Sequence, residues 1–264
     1  EGHLLLEVDY SQAELRVLAS LADEPSMLEA FSRGEDIHAS TAARIFGVPL
    51  AEVTKDQRSK AKSVNFSIIY GITEHGLDQR YGIPMHEGKQ LLALYWEKMP
   101  KVKAWVTEQY QSQKERGCVI SPYGRKRRLP EMGSPSKWIR RHAENQASNF
   151  PVQSAVADMS LDALVEIREA LGPNMVLGQV HDSVLLQIPR ISLQRDALTI
   201  KGIMLSQGGH FLRCPMQVDM KVGETWGTMG AYQDQGEGKP KDPVDADLDR
   251  DDGQSRQLRV REGR

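Results

Sequence analysis

The stretch that most constrains this chain is residues 58–71, RSKAKSVNFSIIYG. Arg58, Lys62, Phe66 and Tyr70 recur at every fourth position, and on an α-helix that spacing lines side chains along one face with little drift. The row is about 18 Å long at 1.5 Å per residue. It presents two cations, then a ring, then a phenol. Paired cations one turn apart suit a polyanion such as a triphosphate, and a ring beside them suits a sugar or base. An ordinary amphipathic helix carries the same pattern, with Val64, Phe66, Ile68 and Ile69 buried and Arg58, Lys60 and Lys62 solvated. The flanking sequence has to decide between the two.

The chain of 264 residues can bury one large core or two modest ones. A formal net charge of −2 excludes the global basic signature of a nucleic-acid binder. The cations are clustered, however: Lys55, Arg58, Lys60 and Lys62; Arg125, Lys126, Arg127 and Arg128; Lys137, Arg140 and Arg141. Local patches of this kind set the field that a phosphate backbone meets. Cys118 and Cys214 have no metal-like spacing, so free thiols in a reducing compartment are expected. No apolar run is long enough to span a bilayer, and the amino terminus lacks the form of a signal peptide. Leu4, Leu5, Leu6 and Val8 read at once as a core strand with nothing before it to pair with, which suggests a piece of something larger.

In order along the chain, residues 3–8 form that strand, ending at Asp9. A helix is expected over 11–22, capped by Ser11 with Glu14 three positions on, the capping-box pattern. Residues 27–46 read as two helical stretches broken at Gly34, the second carrying His38. Gly47-Val48-Pro49 is a turn, and Thr54 caps the helix that bears the row. A short helix over 76–81 stops at Gly82-Ile83-Pro84, and a long helical tract over 86–116 has a kink or junction at Pro100. Residues 119–124 lead through a hairpin into the basic turn. Residues 137–171 are helical, with an interruption near Phe150-Pro151. Two apolar runs, 176–180 and 183–188, flank His181-Asp182 as a strand pair with the acid at the bend. A helix over 190–207 and a strand over 216–222 follow. From Ala231 onward Asp, Gly, Pro and Arg dominate, so a disordered tail is expected over 231–264.

Asp9 and Asp182 stand 173 positions apart, yet each closes an apolar run. Strand-end acids from distant segments can meet at one edge of a sheet, where they repel unless a cation lies between them. Hard divalent ions of the Mg²⁺ kind match such oxygen donors. A pair of ions about 3.5–4 Å apart can activate an attacking oxygen and stabilise a leaving one. Taken singly, Asp9 also reads as a helix-entry acid and Asp182 as a turn residue.

Residues 9–16, DYSQAELR, resemble the first motif of the family A (DNA polymerase I-like) DNA polymerases. Residues 58–71 resemble the second motif and Val180-His181-Asp182 the third. Asp36-Ile37-His38, residues 123–130 (YGRKRRLP), Asn149 with Pro151 and Gln153, and residues 223–226 (GETW) fit in the same order. The resemblance covers residues 1–227 or so, and three ordered motifs are far more specific than any one.

The resemblance implies an α+β fold: an antiparallel palm sheet from 1–22 and 141–230, with mainly helical fingers inserted over 23–140. It implies template-directed addition of deoxynucleoside triphosphates to a primer 3′-hydroxyl by two-metal-ion nucleotidyl transfer. Asp9, Asp182 and the Tyr10 carbonyl would hold two Mg²⁺ ions, with Mn²⁺ as a substitute. Ser11 and Gln12 would lie at the nucleotide. His38, Arg58 and Lys62 would bind phosphates, and Lys62 could protonate the departing pyrophosphate. Phe66 would pack on the incoming sugar and Tyr70 near the templating base. Glu14 would sit under the 2′ position as a steric gate, paired with Tyr70. Arg16, Arg125, Asn149, Gln153 and His181 would contact primer–template DNA. Such catalysis is mainly positioning and charge neutralisation.

Two positions depart from the family pattern: Ser183 stands where Glu is normal, and Ser67 where Gly is common. A phage-type, single-subunit RNA polymerase resembles the same three motifs. Glu14, which excludes a ribose 2′-hydroxyl by volume, and Phe66, where those enzymes typically carry Met, favour DNA synthesis. A non-catalytic nucleic-acid-binding module is the other alternative, but phosphate binding alone does not call for two aspartates. The resemblance further implies a thumb and part of the palm upstream of Glu1, often an exonuclease domain, and a place in the cytoplasm of a bacterial or phage-infected cell, or in an organelle. A piece without the thumb is expected to be poorly processive or inactive alone.

Overall fold

Alternation sets the central strand. In a computed structural model, which describes residues 2–232, β1 (His3–Tyr10) turns Leu6, Val8 and Tyr10 to a buried face, while Glu7 and Asp9 point the other way. Burying each of these large side chains contributes roughly 1.5–3 kcal/mol. β5 (Ser183–Pro189) and β6 (Val218–Gly223) flank β1, both antiparallel. β4 (Val176–Val180) pairs β5, and β7 (Gly230–Ala231) pairs β6, giving the order β4-β5-β1-β6-β7. The expected antiparallel sheet of an α+β fold is therefore present, and it is built from the two ends of the chain.

Between them the chain is mainly helical: α1 (Ala13–Ala22), α2 (Pro25–Ser32), α3 (Ile37–Phe46), α4 (Lys55–Ile68), α5 (Glu74–Tyr81), α6 (Met85–Lys98) and α7 (Pro100–Arg116). A two-stranded hairpin, β2 (Val119–Ile120) with β3 (Lys126–Arg127), follows. The long α8 (Lys137–Leu171) and α9 (Leu193–Ser206) complete the described chain. Both α8 and α9 pack on the sheet, and the Tyr10 hydroxyl donates to the Met204 carbonyl of α9 at 3.0 Å.

Three local expectations change. The Ser11 cap is not formed: the Ser11 N–H continues the strand pairing to the Gln217 carbonyl at 2.9 Å, and Gln12, at φ 55°, turns the chain into α1 with no side-chain cap. Pro151 does not interrupt α8. Proline inside a helix costs about 3 kcal/mol, but Ala143, Ala147 and Ser148 before it and Val152, Ala155, Val156 and Met159 after it are buried and hold the helix together. Ala231 and Tyr232, the first residues of the expected tail, instead pair with β6. Residues 233–264 lie outside the described residues. By contrast Thr54 caps α4 as expected, in a reciprocal box with Gln57 (3.2 and 3.0 Å).

Candidate active site

The register of the sheet brings the two acids together. Asp9 lies opposite Ser183, so Asp182, in the two-residue turn between β4 and β5, reaches the same end of the sheet. His181 makes that turn possible by adopting φ 55°. The Asp9 carboxyl is pushed up to about 7, first by burial and then by the charge and hydrogen bonding of Asp182. Its Oδ1 atom is buried with no hydrogen-bond partner. An orphaned acid oxygen beside a second acid is the donor set a hard cation needs, and a buried polar atom left unpaired is otherwise costly. The residues present thus fit divalent ions. Among the described residues no three His, Cys, Asp or Glu side chains converge on an ion, so backbone oxygen and water would have to complete a coordination shell. Ser183 adds no carboxylate; its hydroxyl donates to the Val180 carbonyl at 3.0 Å and braces the turn.

Two charged neighbours of Asp9 escaped the motif-based reading. Glu7 raises the Asp9 carboxyl and Lys221 lowers it. Glu7 meets Lys221 at 3.5 Å and accepts from the Trp226 indole at 2.8 Å. Strand alternation could have flagged Glu7, two positions before Asp9, but nothing local in the sequence places Lys221 opposite it.

The second wall is α4. Arg58 and Lys62 are partly exposed, and Phe66 and Tyr70 are each 41% exposed. The Lys62 ammonium lies 5.8 Å from the Phe66 ring centre. Tyr70 falls just beyond the helix, where its N–H bonds to the Ser67 carbonyl in a tighter last turn. Its hydroxyl meets both Glu14 oxygens at 2.9 Å and accepts from Gln153 at 3.2 Å. Burial, then the Glu14 charge, raises the phenol to about 12. Burial likewise raises Glu14, against the opposing hydrogen bonds from Tyr70 and Gln153. Asn149 lies beside the same phenol.

Other expected site residues are engaged elsewhere. His38 is only 2% exposed, packed against Asn65 and the Phe66 ring. Arg58 pairs with Asp36 at 2.6 Å. Burial raises Asp36, but hydrogen bonds from Arg58 and the Ala39 N–H outweigh it and leave it lowered. Arg16 is buried. It donates to the Ser11 and Pro215 carbonyls and to Gln217, and lies over the Phe31 ring. It ties the exit of β1 to the approach of β6. Arg125 is engaged by the buried Asp158, with Nε at 2.7 and 2.9 Å from its two oxygens. His181 is exposed beside Asp182.

An antiparallel sheet thus carries paired acids at one end, and Glu14 and Tyr70 connect that end to the last turn of a basic–aromatic helix. Residues 1–228 match the family described as DNA polymerase family A, and the chain belongs to that family. It is 38% identical over 229 residues to "DNA polymerase I, thermostable" of Thermus aquaticus, covering 86% of this chain and 27% of that protein. It is 37% identical over 227 residues to DNA polymerase I of Geobacillus stearothermophilus, covering 84% and 26% respectively. The solved structure described as "POL domain of Pol1 from M. smegmatis complex with DNA primer-template and dNTP" superposes with a TM-score of 0.78 at 31% identity, covering 86% of this chain and 40% of that one. The chain thus spans about a quarter of the length of these curated relatives.

Proposed function

We propose that this chain carries the nucleotidyl-transfer centre of a template-directed DNA polymerase acting on primer–template DNA and deoxynucleoside triphosphates. The observation that carries the reading is the Asp9–Asp182 pair, with its orphaned Oδ1, linked through Glu14 and Tyr70 to the end of α4. Asp9, Asp182 and the Tyr10 carbonyl would hold a pair of Mg²⁺ ions, for which Mn²⁺ could substitute. Bound there, such ions lower the pKa of a primer 3′-hydroxyl and neutralise triphosphate charge.

The chain's own groups do the rest. Arg58 and Lys62 grip the phosphates, Arg58 exchanging Asp36 for the ligand, and Lys62 hands a proton to the leaving pyrophosphate. His38 reaches phosphate only when its surroundings shift, because it is buried, with its ring against Phe66. Closure of α4 over a correctly paired nucleotide couples selection to chemistry. Phe66 packs on the sugar, Ser11 and Gln12 line the nucleotide, and Glu14, held by Tyr70 and Gln153, blocks the 2′ position. Asn149, Gln153 and His181 face the primer terminus and template.

In this reading residues 1–22 and 141–230 are palm and 23–140 fingers. Upstream thumb and palm segments belong to the same polymerase, which serves DNA replication or repair in a cytoplasm. Among the described residues no helix is long and apolar enough to cross a membrane.

Primer extension with and without Mg²⁺, in a protein that includes upstream segments, tests the reading. Asp9→Asn and Asp182→Asn should each abolish extension while duplex binding persists. Binding without any extension by the parent protein would favour a non-catalytic module.

A further inference from the structure

We infer that Tyr81 is a positioning residue for the incoming nucleotide and acts through Ser67: their paired hydroxyls hold the last turn of α4, and with it Phe66 and Tyr70, against α5. The inference deepens the polymerase reading above and rests on it. The Ser67 Oγ and the Tyr81 hydroxyl oxygen lie 3.0 Å apart, a hydrogen bond that crosses from α4 to the last residue of α5. Ser67 is buried while Tyr81 is 44% exposed, so the phenol turns its polar tip inward to a hydroxyl that water does not reach.

The contact sits where α4 ends. Ser67 follows Phe66 directly and precedes Tyr70 by three positions. Its carbonyl accepts from the N–H groups of both Tyr70 and Ile72, at 3.1 and 3.2 Å, and so closes the turn that presents the Tyr70 phenol to Glu14. Residues 69–73 link α4 to α5, with Gly71 at φ 68°. Across so short a link, the two hydroxyls fix how the helices meet. Ser63, one turn earlier, instead turns its hydroxyl back to its own helix, 3.1 Å from the Ser59 carbonyl. Ser67 is also a position at which this chain departs from the family pattern, and the glycine common there has no side chain with which to reach Tyr81.

A second tie leaves α4 from the same side. Lys60, seven positions before Ser67, pairs with Glu87 of α6 at 2.6 Å. Seven residues are close to two full turns, so the two ties are nearly in line and about 10 Å apart along the axis. That side is not the one that carries Arg58, Lys62, Phe66 and Tyr70. The helix is thus moored to α6 and α5 on one side and presents its row on another. The Lys60 pair is partly exposed and contributes little alone. The hydroxyl pair ends on a buried atom beside the two aromatic positions, and its loss frees the turn that sets them.

The test uses Tyr81→Phe and Ser67→Ala, each of which removes one hydroxyl and little else, together with the double variant. In steady-state primer extension by a protein that includes upstream segments, KM for the deoxynucleoside triphosphate should rise about fivefold in either variant, the size of one neutral hydrogen bond. The turnover number kcat should stay within about twofold of the parent. The double variant should be no worse than the single ones, because both changes remove the same contact. In the 264-residue chain, amide hydrogen exchange at Tyr70 and Ile72 should quicken in each variant, while the amides of β1 and β5 keep the parent's rates. An unchanged KM, a fall in kcat alone, or effects that add in the double variant would overturn the role. Exchange that quickens everywhere, or nowhere, would overturn it too. The polymerase reading fails separately: a protein that never extends a primer sinks that reading, and local exchange at Tyr70 and Ile72 then decides whether the hydroxyl pair holds the end of α4.

Discussion

The Tyr70 hydroxyl lies 2.9 Å from both carboxylate oxygens of Glu14, and so joins the last turn of α4 to the first turn of α1 across 56 positions of sequence. This contact fixes the acid beneath the mouth of the site. Glu14→Ala, in a protein containing the upstream segments, should raise ribonucleotide incorporation by at least tenfold relative to deoxynucleotide. Unchanged sugar selectivity would remove Glu14 from the role of gate.

Tyr70→Phe keeps the ring but removes the donor. Glu14 then loses a hydrogen bond that opposes its raised pKa, so the acid should titrate at still higher pH. A neutral side-chain hydrogen bond contributes about 0.5–1.5 kcal/mol, more to a charged acceptor. The variant should keep its fold, discriminate less well between sugars, and show the difference most clearly where Glu14 is ionised in the parent. Selectivity identical to the parent's at every pH would mean that the contact does not position Glu14.

The Asp9 carboxyl gives a stability prediction with a definite sign. Its pKa rises from 3.8 to about 7 on folding. Between those values the folded chain holds a proton that the unfolded chain has lost, so stability falls as pH rises from about 4 to 7. Asp9→Asn removes this contribution, and the melting temperature of the variant should drop less than the parent's across that window. Mg²⁺ should stabilise the parent more at pH 8 than at pH 5, because protons compete for the same oxygens. Thermal melts with parallel slopes for the two proteins, or an equal Mg²⁺ effect at both pH values, would contradict this.

Arg125 and Asp158 separate a structural role from a DNA contact. Arg125→Ala leaves the nearly buried Asp158 without its cation and should lower the melting temperature, because a buried carboxylate left unpaired destabilises a fold. Asp158→Asn in the same chain should recover part of that loss. A variant with unchanged stability but weaker, more salt-sensitive DNA binding would assign Arg125 to phosphate instead.

Much of this arrangement is legible in the sequence because it is local. The four-residue spacing of Arg58, Lys62, Phe66 and Tyr70 survives in α4 and its last turn, and alternation along β1 separates Tyr10 from Asp9. What stayed hidden depends on pairing between distant segments. Arg16 carries the same charge as any DNA-facing arginine, and only the approach of residues 215–217 shows why it is buried. Arg125 is likewise indistinguishable from its basic neighbours until Asp158, 33 residues later, comes to meet it. Ser11 looked like a cap because capping chemistry is local, but strand pairing to Gln217 won.

The placement of β1 at the middle of its sheet has a consequence for biosynthesis. It is the first strand of the described residues, yet both of its neighbours, β5 and β6, come from the last quarter of the described chain. On the ribosome β1 must therefore wait, with both edges bare, while some 170 residues of mostly helical polypeptide emerge and fold. A nascent chain released before residue 182 carries Asp9 without the acid that faces it in the finished sheet.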